Sequence, residues 1–156
     1  MNKDALLKLM DREFATTLKV LKAFPEGFEE FKPHERSRSA LNLVLGFAVE
    51  ENAMKHIVRG KMDMSIFQYP EIKTIAEGIH YAEATHADVM ADLRSVPEEE
   101  YVQSLEVMGR TMVRMEMLWL FALDQIHHRG QFSVYLRMVG GKVPSIYGPS
   151  GDDPGI

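Results

Sequence analysis

Residues 71–94 read EIKTIAEGIHYAEATHADVMADLR, and one seam runs through them: Ile72, Ile75, Ile79, Ala82, His86, Val89 and Leu93. The spacings alternate between three and four, which places all seven on one face of a helix and gives the 3.5-residue period of a helix packed in a bundle. Acidic, basic and small polar residues fill the other faces. The seam has one anomaly, a histidine at position 86 where an apolar side chain is expected.

Working outward, residues 4–22 repeat the pattern with Leu7, Met10, Phe14, Leu18 and Leu21, and stop before Pro25, which cannot continue a helical hydrogen-bond ladder. The turn-rich FPEGFEEFKPHERSRS at 24–39 is a connector, and Ser37 or Ser39 can cap a second helix that runs to about Gly60. Residues 98–110 stay open between loop, short helix and extended chain. The last helix covers about 111–139 and stops at Gly140 or Gly141, either of which can supply a left-handed cap. At about 1.5 Å per residue these helices are about 29 to 44 Å long, matched well enough to pack side by side. The expectation is an all-α four-helix bundle in a single domain, 1–156, with an irregular C-terminal tail, KVPSIYGPSGDDPGI.

Composition narrows the function. The chain carries 46% hydrophobic and 26% charged residues, ordinary for a globular protein, with a net charge of −5. No basic cluster with interleaved aromatics is present, so nucleic acid is not an expected partner. The apolar runs LVLGFAV (43–49) and MLWLFAL (117–123) are far shorter than the roughly 20 residues of a spanning helix, so no membrane partner is expected either. The absence of cysteine excludes a thiolate nucleophile, a Cys-type zinc site and disulfides, and with an N-terminus unlike a signal peptide it points to the cytoplasm. A phosphate-cradling glycine loop, a HExxH motif and a Ser-His-Asp order are all missing, and no organic cofactor is indicated.

What remains is polar chemistry on apolar faces. Along the last helix the series Met117, Phe121, Asp124, His128, Gln131, Tyr135, Met138 follows threes and fours, so Asp124, His128 and Gln131 are expected to point inward. Glu50 continues the second-helix stripe Leu43, Phe47, Glu50, Met54, Ile57. Asp124 and His128 with Glu50 or His86 make a nitrogen and oxygen donor set suited to a divalent metal with an open position, zinc, nickel or manganese. The alternative is structural: Asp124 and His128 as an i, i+4 hydrogen-bonded pair, and His86 as a core histidine. Arg129 and Arg137 are read as braces for the acidic tail.

LDQIHHRGQFSVYLRMVGGKVPSIYGPSGDD, residues 123–153, resembles the last helix and tail of the DinB-like superfamily, and SRSALNLVLGFAVEEN resembles its second helix. The resemblance implies a four-helix bundle, commonly a homodimer, and in many members a divalent metal held by three histidines, one on the second helix and two spaced four apart on the last. His128 matches the final histidine. Asp124 stands in place of the one before it, and Gly46, with Leu45 beside it, occupies the second-helix position. Either Glu50 and His86 rebuild a variant site with Asp124 and His128, or the group is a polar cluster without metal. The functional expectation is a metal-dependent hydrolase or thiol-dependent transferase acting on a small molecule. The alternatives are a non-catalytic helical dimer, or a small-ligand binding protein with His127, Tyr135 and Tyr147 around its pocket.

Overall fold

Four long helices account for most of the chain in a computed structural model that describes residues 2–155. Helix α1 spans Lys3–Lys22 and is capped by the Asn2 side chain, which accepts from the Ala5 N–H at 2.8 Å. Helix α2 spans Ala40–Ile57, with Ser39 as the cap. Helix α3, Ile75–Ser95, begins later than the seam alone suggests. The cause is a capping box: Thr74 accepts from the Glu77 N–H, and the Glu77 carboxylate reaches back to the Thr74 N–H.

The open segment after Pro97 resolves into a one-turn helix, α4 (Glu98–Tyr101), and an antiparallel hairpin of β1 (Ser104–Val107) and β2 (Arg110–Val113), in register Ser104 to Val113. Met108 and Gly109 turn the hairpin, both with positive φ, as a tight turn matched to strand twist requires. Residues 111–113 are therefore strand, and the last helix, α5, spans Arg114–Met138 instead of starting at 111. Gly140 follows it with φ +85°. Arg114 fastens the start of α5: its guanidinium donates to the Val58 carbonyl at 3.1 Å and to Glu100 at 2.5 Å. It lies against Gly60, where an added Cβ would come within 2.7 Å of it.

The helices form a ring in which α2 packs on α3 and α5, and α1 packs on the same two. Two apolar cores fill its ends. Leu6, Met10, Met54, Ile57, Met90, Leu93 and Leu118 meet at one end, and Val20, Leu21, Val44, Phe47, Ile79, Phe132 and Leu136 at the other. Each large side chain buried there contributes about 1.5–3 kcal/mol. Between the ends every long helix presents polar residues at the same level: Glu13 on α1, Glu50 and Glu51 on α2, His86 on α3, and Gln125, His128 and Arg129 on α5. This polar waist is where the fold departs from a simple hydrophobic bundle.

Candidate metal centre

Neighbouring residues on a helix diverge by about 100°, so Glu50 and Glu51 serve different faces of α2. Glu50 turns toward α5. There His128 Nε2 lies 3.4 Å from Glu50 Oε1 and 3.3 Å from Asp124 Oδ2. Among the described residues, Glu50, Asp124 and His128 are the group that brings three potential ligand atoms within 4.8 Å of one another. Atoms bound about 2.1 Å from one tetrahedral ion lie about 3.4 Å apart, so the spacing suits a shared cation. Among the described residues Glu50 Oε2 is buried without a hydrogen-bond partner, and a buried carboxylate oxygen without a donor calls for an ion or water. The donor set and the orphaned oxygen both fit a divalent metal.

Behind the trio, His128 Nδ1 lies 3.2 Å from Gln131 Oε1. The hydrogen bond with Glu50 is the main influence raising the His128 pKa; burial opposes it, and Gln131 and Asp124 add to the rise. Asp124 is not inward as the helical series suggested: its side chain is 55% exposed, at the mouth of the site, while Glu50 is 11% exposed. A cavity of about 440 Å³ opens there, walled by Met62, Met64, Phe67 and Phe121, with Arg38 and Tyr69 at its edge. Tyr135, expected to line a pocket, is instead buried, with its hydroxyl donating to the Arg38 carbonyl at 3.0 Å. His127 faces solvent.

His86 does not join this group. It stacks flat on Phe14, with ring centroids 3.8 Å apart and 3° between planes. Its Nδ1 meets Glu51 at 2.9 Å and its Nε2 lies 3.4 Å from Asp11, which also accepts from Arg94 at 2.6 Å. Glu51 is 1% exposed, and burial pushes its carboxyl up, against the pull of His86. Both ring nitrogens of His86 are thus engaged across α1, α2 and α3.

A third polar group escaped sequence reasoning. Arg129, 2% exposed, donates to Glu13 Oε2 at 2.8 Å and to the Glu13 carbonyl at 3.3 Å. It also donates to the Tyr147 hydroxyl, which in turn donates to Glu13. Burial alone would raise the Glu13 carboxyl, but hydrogen bonds from Tyr147, Arg129 and Arg12 together hold it below its usual range. Arg129 therefore does grip the tail, but from inside the bundle. Arg137 holds Asp152 at the surface, at 2.8 Å. The signal for Glu13 lies in the run Met10, Glu13, Phe14, Thr17, which puts a carboxylate on the buried stripe of α1.

Comparison with known proteins agrees with this architecture. The uncharacterised protein YrdA of Bacillus subtilis strain 168 is 29% identical over 157 residues, spanning 96% of this chain and 90% of YrdA. Two crystal structures share the fold. The DinB-like protein YjoA of B. subtilis has a TM-score of 0.73 at 23% identity, covering 87% of this chain and 92% of that one. A DinB-like protein of Bacillus cereus ATCC 10987 has a TM-score of 0.75 at 17% identity, covering 94% and 100%. With residues 1–154 matching the DinB family, the chain belongs to that family.

Proposed function

We propose that Glu50, Asp124 and His128 hold a divalent cation, zinc, nickel or manganese, and that the protein is a metal-dependent enzyme acting on a small molecule admitted through the adjoining cavity, by hydrolysis or thiol-dependent group transfer. The observation that carries this is the convergence of ligand atoms from Glu50, Asp124 and His128, with Glu50 Oε2 also buried and unpartnered among the described residues. A cation there would act as a Lewis acid and lower the pKa of a bound water or thiol. The protein's own groups are arranged for that task. An Nδ1–H donated to Gln131 Oε1 leaves the His128 Nε2 lone pair facing Glu50 and Asp124, the outer-shell orientation common behind metal-bound histidines. Exposed Asp124 leaves the approach from the cavity open, and aromatic and methionine side chains form the cavity's apolar wall.

The rival is a charge-balanced cluster in which an imidazolium at His128 answers both carboxylates and no metal binds. Elemental analysis of untagged protein after incubation with each metal and removal of excess separates the two. One equivalent retained by wild type and lost in E50Q and H128A supports the metal site. Retention near zero for all three metals, in folded protein, would sink it.

A homodimer is also proposed. Leu120, Leu123, Val134 and Met138 are each at least half exposed, at 50%, 52%, 55% and 56%. They share one stripe of α5 with Gly130, beside which an added Cβ would meet nothing within 4 Å. A stripe of this length supports a second copy packing along α5.

A further inference from the structure

The cavity beside Glu50 holds a half-exposed cation, Arg38, paired with the Glu50 carboxylate only at long range. Arg38 Nη1 lies 3.9 Å from Glu50 Oε1, beyond hydrogen-bonding distance, and its guanidinium donates no hydrogen bond among the described residues. Its backbone is nonetheless held in place, by Tyr135 on the Arg38 carbonyl and by the Ser39 cap of α2 that follows. Tyr69 faces it. A Cβ added to Gly46 would lie 3.4 Å from Arg38 Nη1 and 3.6 Å from the Tyr69 hydroxyl, so both polar groups converge over a bare stretch of helix. Any larger side chain at position 46 would take the volume between them. Burial raises the Tyr69 pKa, with Arg38 and Glu50 pulling in opposite directions, so the hydroxyl stays a donor. Apart from the Glu50 and Asp124 carboxylates, the rest of the wall is apolar: Val49, Met62, Met64 and the stacked rings of Phe67 and Phe121, 6.0 Å apart.

We propose that Arg38 and Tyr69, over Gly46, form a subsite for the carboxylate of a small monoanionic substrate whose apolar part lies against Phe67 and Phe121. The planar guanidinium offers paired donors in the geometry a carboxylate accepts, and the tyrosine adds a third. Charge selects the class. Glu50 and Asp124 outweigh Arg38 and would repel an anion, but a divalent cation between them reverses the balance and leaves a small positive excess, suited to a monoanion better than to a phosphate dianion. The inference therefore rests on the metal reading.

The test uses zinc-loaded full-length protein, calorimetry, and four probes of similar shape: phenylacetate, phenethyl alcohol, phenethylamine and phenyl phosphate. Phenylacetate is expected to bind at least tenfold tighter than the alcohol and tighter than the amine or the phosphate. R38Q should remove that preference, and Y69F should weaken it a few fold, while both variants take up zinc with unchanged stoichiometry. Zinc uptake by wild type with no phenylacetate binding, with no preference for phenylacetate over the other three probes, or with a preference that R38Q leaves intact, would overturn the Arg38 subsite alone. Absence of zinc uptake would remove the metal reading and this inference with it.

Discussion

Replacing Arg129 by Met removes a cation buried inside the bundle. The substitution keeps the aliphatic volume but leaves Glu13, 6% exposed, without its buried cationic partner. Breaking a buried ion pair from one side costs about 3–5 kcal/mol, because the surviving charge stays desolvated. Here the Tyr147 hydroxyl still donates to Glu13, and Arg12 remains 3.0 Å from Glu13 Oε1 with its side chain 70% exposed and screened by water, so the lower part of that range is expected. At about 2–4 °C per kcal/mol for a chain of this size, Tm should fall by about 6–12 °C. The double variant E13L/R129M should recover most of the loss, since well-packed apolar replacements of a buried pair are often neutral or stabilising. The pH dependence carries a sign. The Glu13 carboxyl is lowered on folding, so its contribution is present above its ordinary value of 4.5 and disappears as pH falls through the depressed folded value. The gap between wild type and R129M should thus be full at neutral pH and close on acidification. Urea denaturation at several pH values measures all three quantities. An R129M cost below about 1 kcal/mol, or a double variant no more stable than R129M, would refute the reasoning.

Other outcomes follow from the same structure. Removing the α3 capping box with T74A should cost about 1 kcal/mol in chemical denaturation and leave metal uptake untouched. F132A empties a fully buried position at the tail end of the bundle and should cost about 3–5 kcal/mol. L123E combined with V134E should convert a dimer into a folded monomer in light scattering; a wild-type protein already monomeric at high concentration would contradict the proposed α5 interface.

The helical framework was legible because its signal is local. The seam from Ile72 to Leu93, the break at Pro25 and the glycine after Val139 are all set within a turn or two of themselves. The hairpin was hidden for the opposite reason: its turn is Met108-Gly109, and a methionine at φ 49° carries none of the Asn or Asp signal that announces such turns. Spacing also brought out Glu50, Asp124 and His128 as neighbours in chemistry. It misjudged the depth of Asp124, because the buried face of α5 runs through Leu118, Ala122, Arg129, Phe132 and Leu136. A rule that places charges outward cannot find Arg129 inside, since its partner Glu13 lies 116 residues earlier in the chain. Likewise His86 was visible as an oddity on its seam, but its capture by Glu51 and Asp11 depends on how three helices meet. Arg38 and Tyr69 lie on connectors, where no periodicity exists to point at them.

The most direct test of the metal site is an anomalous difference map from crystals of untagged protein soaked in zinc and measured on both sides of the zinc edge. A single strong peak bounded by Glu50, Asp124 and His128, absent in E50Q crystals, is the expected result. Well-diffracting soaked crystals with no peak there, or with the peak instead between Glu51, His86 and Asp11, would contradict it.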